Sequence, residues 1–317
     1  MFSSTSPKAV ASARPHASSA SARTLSTALP CSPANTPANC TTNSWLFPPN
    51  TREVQFDEKW SFVGKKEKHC DRDDPDDDWQ GDCWDHIALD PESRLVVSMA
   101  FGPRTEELTE LLVEDFHQRT QGRLMDLMTS DEYATYPKVI AFVYGVEVVP
   151  ERTGRRGRPA GPYKEIPEGL LYATVHKNRE DNRVVSVETR LVYGTQEALT
   201  AALENSSVSA RVNTFFVERH NGTDRNRNAR KVRKSYCFSK DWWVHEAVSR
   251  LTLCSYNLCW PVRTLRERDA EGKWQARTPA MAAGLADHVW TMEEWLTFPG
   301  VQRSQPVASG AGDARQC

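Results

Sequence analysis

The segment Val54-Gln55-Phe56-Asp57-Glu58-Lys59-Trp60-Ser61-Phe62-Val63-Gly64 decides how the chain is read. Its bulky and aromatic residues favour an extended strand, and Gly64 closes it. Asp57 and Glu58 interrupt the apolar run. An acid inside such a strand is costly unless it is paired or bound to a cation. Two readings follow. Either the strand lies at an edge with Asp57 facing water, or Asp57 is a metal ligand at the heart of a sheet.

Downstream, residues 84–89 and 94–101 read as two more strands, joined by the turn Asp90-Pro91-Glu92-Ser93. Residues 54–101 therefore predict a three-stranded antiparallel meander. Between them, residues 65–82 are polar and acidic. Asp76, Asp78 and Gly81 match part of a calcium loop, but Ile87 stands where the ligating glutamate belongs, so a solvated turn is expected. Thr105 can cap the next helix, whose first turns carry Glu106, Glu107 and Glu110 and whose apolar face is Leu108, Leu111, Leu112 and Phe116. A short strand at 124–129 ends at Ser130-Asp131-Glu132. Ligands in open α/β sheets gather at the carboxyl ends of strands, which suits Asp131 to a site; capping the helix over 133–144 would serve as well.

Residues 150–168 form a basic loop with Arg152, Arg155, Arg156 and Arg158. A fifth strand is expected at 170–176. A strand at 183–193 and a short helix at 197–203 belong to an insertion spanning 178–211. Then comes Val217-Glu218-Arg219-His220-Asn221-Gly222-Thr223-Asp224-Arg225, continuing through Arg227, Arg230, Lys231, Arg233 and Lys234. On a helix, Glu218, Asn221, Gly222 and Arg225 share one face. A carboxylate, an amide and a guanidinium side by side suit a metal ion beside a phosphate. The bland alternative is a solvated helix whose Glu–Arg pairs contribute only about 0.2–0.5 kcal/mol each. His220 and Asn221 could position DNA or water, or satisfy helix-local hydrogen bonds. Ser239 can cap a further helix from Asp241 to about Asn257, and 280–286 predicts a small helical segment.

At 317 residues the chain can hold one large domain or two. Its net charge of −2 selects no partner, but bases crowd 219–234 in the manner of a nucleic-acid patch. No apolar run approaches the roughly 18 residues of a membrane span, so a soluble chain is expected. The eight cysteines contain no Cys-x-x-Cys pair, consistent with free thiols in a reducing compartment. His69, Cys70, Cys83 and His86 fit no zinc spacing well. Residues 1–50, rich in Ser, Ala, Thr and Pro, lack apolar periodicity and predict disorder, although Arg with Ser and no acid also suits a transit peptide. Residues 303–317 predict the same disorder.

Four segments together resemble the DDE transposases of the insertion sequence 1 family: residues 54–66, Met128-Thr129-Ser130-Asp131-Glu132-Tyr133, Val217-Glu218-Arg219-His220-Asn221, and Phe238-Ser239-Lys240. The likeness spans roughly residues 52–300. It implies an α/β, RNase H-like core over 51–260, with a mixed five-stranded sheet flanked by helices and the insertion before the last catalytic helix. Residues 261–317 would form a helical extension and a tail. It implies that Asp57, Asp131 and Glu218 are the catalytic, metal-binding triad, holding Mg²⁺ or Mn²⁺ as two ions. Arg225, seven residues after Glu218, would contact DNA near the scissile phosphate. The implied reaction is hydrolysis of the phosphodiester at an element end, then attack of the freed 3′-hydroxyl on target DNA, with one ion activating the nucleophile and the other stabilising the leaving oxygen.

The DNA-contacting set is then Arg219, His220, Asn221, Arg225, Arg227, Arg230, Lys231, Arg233 and Lys234, the basic members suited to phosphates. The implied partners are element ends, target DNA and further copies of the chain; the implied location is the bacterial cytoplasm, at the nucleoid. The family usually carries a zinc finger and helix-turn-helix before the core. The first fifty residues show neither, which predicts a shifted frame or misplaced start. An RNase H-fold nuclease and a catalytically impaired, DNA-binding remnant are the alternatives.

Overall fold

The computed structural model describes residues 49–71, 73–150, 161–181 and 183–298. The expected disorder of residues 1–48 and of the 303–317 tail, and the four arginines of the basic loop, lie outside them.

The first strand, β1 (Glu53–Val63), is central rather than at an edge. It pairs antiparallel with β2 (Gly81–Leu89), which pairs antiparallel with β3 (Val96–Gly102). This is the expected meander. On its other side β1 pairs parallel with β4 (Leu127–Asp131), putting Phe56 opposite Ser130. β3 is buried along its whole length and reads as a nearly continuous apolar run, whereas β1 is largely buried yet carries Gln55, Asp57, Glu58 and Lys59. Gly64 ends β1 at φ +66°, in the left-handed region, and a Cβ there would strike the Gln80 side chain.

After β3, α1 (Glu106–Arg119) crosses back to β4, capped as expected by the Thr105 hydroxyl, which accepts from the Leu108 N–H. Next come α2 (Thr135–Tyr144) and a small ladder of β5 (Val146–Val148) with β6 (Tyr163–Glu165). Asp131 does not cap α2; its carboxylate accepts the Tyr133 N–H, and Ala134 holds the N-cap position. β7 (Tyr172–Glu180) pairs parallel with β4, and β8 (Arg183–Tyr193) pairs antiparallel with β7. The sheet order is β3-β2-β1-β4-β7-β8, mixed and six-stranded.

The expected five-stranded sheet is thus corrected to six strands. The segment read as an insertion supplies the sixth: β8 pairs along β7, and its residues are mostly exposed and carry only a weak sequence signal. The remainder of that segment is α3 (Gln196–Asn205), whose Leu199 packs with Leu127, Ala173, Val175 and Val212.

Helices cover both faces. On one, Phe56 packs against Phe116 of α1 and Tyr136 of α2. On the other lie α4 (Phe215–Arg227) and α5 (Trp242–Cys259). Asp241, not Ser239, caps α5; Ser239 instead bonds His245 within the interior. Two short helices, α6 (Pro279–Ala282) and α7 (Met292–Thr297), pack on α5. No helix among the described residues is long and apolar enough to cross a membrane.

Candidate metal centre

Asp57 follows Phe56 on β1, and Asp131 follows Ser130 at the end of β4. The parallel register therefore sets these two acids side by side. Glu58 joins them: one ligand atom from each of Asp57, Glu58 and Asp131 lies within 4.8 Å of the others. Sequence reasoning passed over Glu58 as a ligand. In the sequence it is only one of two acids that interrupt the strand, and it alternates with Asp57 along β1. β4 ends at Asp131, the last residue of the strand beside β1. Glu58 is buried, with one oxygen accepting from Arg104 at 2.9 Å and the other without a partner.

The acids repel one another. Burial, then Asp131, Glu58 and Glu218, push the Asp57 carboxyl up to about 7. Burial and then Asp131 raise Glu58, against Tyr136 and Arg104. Like-charged carboxylates held together are stabilised most directly by a cation between them. The donor set is all oxygen, which suits Mg²⁺ or Mn²⁺ and disfavours soft metals. The residues present therefore fit a hard divalent cation.

Helix α4 overlies the pair. The Asn221 amide donates to Asp57 Oδ2 at 2.7 Å, fixing that carboxylate. Arg225, one turn on, is half-buried and donates to the Trp60 carbonyl at 3.4 Å. Glu218 stands close enough to raise Asp57, but its carboxylate is engaged by Lys177 of β7 and by the Thr214 hydroxyl at 2.5 Å. The structure thus brings Asp57 and Asp131 together and leaves Glu218 turned to a lysine. Gly222, expected on this face, looks into open space.

The basic run divides. Arg219, Arg233 and Lys234 are exposed, and Arg227 and Arg230 are half-buried. Helix α4 ends at Arg227, so the last four bases lie on a turn and loop, not on the helix face. Lys231 leaves the phosphate-contact set. It is buried, paired with Asp85 and, at 3.4 Å, with Asp224. Lys59 binds the same two acids, Asp85 at 2.9 Å. His220 is also buried, against Tyr256, and does not face the acids; Asn221 is buried but does.

A second convergent group, Cys83, Asp85 and His245, lies fully inside. Two ammonium groups already occupy the place a cation would take, so it reads as structure. Comparison with protein-family models and with curated proteins gave no match.

Proposed function

We propose that the chain is a metal-dependent DNA-processing enzyme, a transposase that cuts a phosphodiester and joins the freed 3′-hydroxyl to target DNA. One observation carries this reading: Asp57, Glu58 and Asp131 converge, with Arg104 the one base in contact among the described residues, at the carboxyl end of a parallel strand in a mixed six-stranded sheet whose order is compatible with an RNase H-like fold. The first five strands, β3-β2-β1-β4-β7, supply the five-stranded core that the resemblance implies, and β8 extends it.

Asp57 and Asp131 would hold the cation, with Glu58 beside them. When bound, a pair of divalent ions supplies activation of the attacking oxygen and stabilisation of the leaving one. The Asn221 amide donates to Asp57 and helps orient it, and Arg104 neutralises part of Glu58. Glu218 adds negative potential, and freeing it for a cation requires exchange of Lys177. Arg219, Arg225, Arg227, Arg230, Arg233 and Lys234 provide positive charge along and beyond α4 for a DNA backbone, with more than one copy needed to bring two ends together.

The test is cleavage and joining of plasmid DNA by the full chain with Mg²⁺ or Mn²⁺, beside Asp57→Ala, Asp131→Ala and Glu218→Ala. Metal-dependent products, lost by at least about 100-fold in each variant, are expected. Cleavage without joining would assign a nuclease instead. The Lys177–Glu218 pair favours a second reading, a DNA-binding chain with an impaired site; DNA binding with no cleavage under either metal would select it.

A further inference from the structure

On the far side of α4 from Asp57 lies a cleft of about 390 Å³. That falls within the range of about 300–1,000 Å³ typical of small-molecule sites. Its walls come from α4, the β2–β3 turn, the end of α5 and residues 261–264. Four guanidinium groups line it: Arg94, Arg219, Arg227 and Arg263. No Asp or Glu does. Among the described residues, none of the four forms an ion pair with a carboxylate.

Aromatic faces alternate with these charges. The Arg94 guanidinium lies 3.8 Å over Phe216, and Arg227 lies 5.7 Å from the Tyr256 ring and 3.8 Å over Trp260. Arg94 reaches Phe216 from a backbone at φ 61°, a left-handed conformation that residues other than glycine enter at a cost. His220 completes the wall. It is 4% exposed, and neither ring nitrogen has a hydrogen-bond partner. One guanidinium nitrogen of Arg227 is also buried and unpartnered. Buried polar groups rarely stay unpaired, and a neutral imidazole presents one donor and one acceptor.

Phosphate needs guanidinium, a heterocyclic base needs a π face, and its edge needs both a donor and an acceptor. All three lie in this one cleft. We propose that it binds one nucleotide unit: the base takes the Phe216 face that the Arg94 guanidinium otherwise covers, beside Tyr256 and with its edge toward His220, and the phosphate lies among Arg219, Arg227, Arg263 and the displaced Arg94. His220 and Asn221 are neighbours on α4, so the cleft sits one helix width from the acidic centre. On the DNA-processing reading above, its occupant is a nucleotide drawn out of a strand held at Asp57 and Asp131. Extruding a base is least costly where pairing is already lost.

The test titrates the full chain with dAMP, adenosine and inorganic phosphate by calorimetry, and follows the ring nitrogens of His220 by NMR. It then compares a duplex carrying one unpaired 2-aminopurine nucleotide with its fully paired counterpart. Expected are dAMP binding at least about tenfold tighter than either fragment, a shift of the His220 nitrogens, and tighter binding of the unpaired duplex. Both preferences should vanish in Arg94→Gly/Arg263→Ala. Glycine suits the positive φ at position 94, so this variant removes the guanidinium without straining the turn. Phosphate binding as tightly as dAMP, or an unmoved His220, overturns the proposal. Binding of dAMP with no preference for the unpaired duplex overturns capture from a strand and leaves a free-nucleotide site. Loss of plasmid cleavage alone, with these preferences intact, would sink the transposase reading and leave the cleft standing.

Discussion

Two charged clusters sit two residues apart on the same strand and under the same helix. Asp57 meets Asn221 of α4, and Lys59 meets Asp224 one turn later. Around Lys59 the charges balance: Lys59 and Lys231 face Asp85 and Asp224, all buried. Burial opposes the charge on Asp85, but Lys231, Lys59 and His245 outweigh it and hold its carboxyl below the usual range. Around Asp57 three acids converge, and among the described residues only Arg104, on Glu58, brings a positive charge into direct contact with them. One cluster is complete as folded. The other carries more negative than positive charge, and that imbalance is the ground on which we propose it as the working site.

The contrast breaks first at the balanced cluster. Asp224→Ala should cost about 3–5 kcal/mol, because it leaves two buried ammonium groups facing one carboxylate. Denaturant unfolding reads this directly; a loss under 1 kcal/mol would show the network is not needed for the fold. At the acidic cluster the sign reverses. Asp57→Asn in the presence of a chelator should leave stability unchanged or higher, since it removes repulsion. Saturating Mg²⁺, at about 100 times its dissociation constant, should stabilise the wild type by about 2.7 kcal/mol and the variant by much less. Equal thermal shifts in the two proteins would place the cation elsewhere.

Acid should weaken the fold. Burial holds His86 and His245 down to about 4 and His220 to about 3, below the ordinary value near 6.5. Unfolded chains take up these protons as pH falls through 6.5, while the native state does not, so stability declines from there toward pH 4. Asp57 works the other way: its native carboxyl, near 7, takes its proton before the unfolded one. Glu53, Glu58 and Asp90 are also raised and trim the slope further. A net uptake of about one to two protons on unfolding gives roughly 1.4–2.7 kcal/mol per pH unit. Urea midpoints that hold steady between pH 7 and pH 5 would refute it. The smallest effect belongs to Asn221→Ala, which should weaken Mg²⁺ binding about tenfold by releasing Asp57, with little change in the unfolding midpoint measured in chelator.

Much of this arrangement was legible in the residues. The run from Val54 to Gly64 announced a strand with misplaced acids, and the Asp90–Ser93 turn and Thr105 cap fixed its neighbours. Asp57 and Asp131 stood out because acids beside buried strands need a reason. What failed to show was long-range. Glu58 reads as an ordinary neighbour until β4 is seen to stop at Asp131. Lys231 reads as one base among many, because its partners, Asp85 and Asp224, are 146 and seven residues away. A one-dimensional charge run cannot say which of its members turns inward. β8 escaped assignment to the sheet because its exposed valines and arginines lack a clean buried face.

The alternation of β1 has a consequence for how such a chain can change over generations. Asp57 and Lys59 share a face, with Glu58 between them on the other. One codon inserted or deleted just before Asp57 would turn Glu58 toward α4 and carry both clusters away from their partners at once. Chemistry and scaffold would fail together, leaving no intermediate that folds without working. Lengthening the polar segment between β1 and β2, or the β7–β8 hairpin tip, carries no such penalty. Viable relatives of this chain should therefore differ in length at those two places and be invariant in spacing from Val54 to Val63.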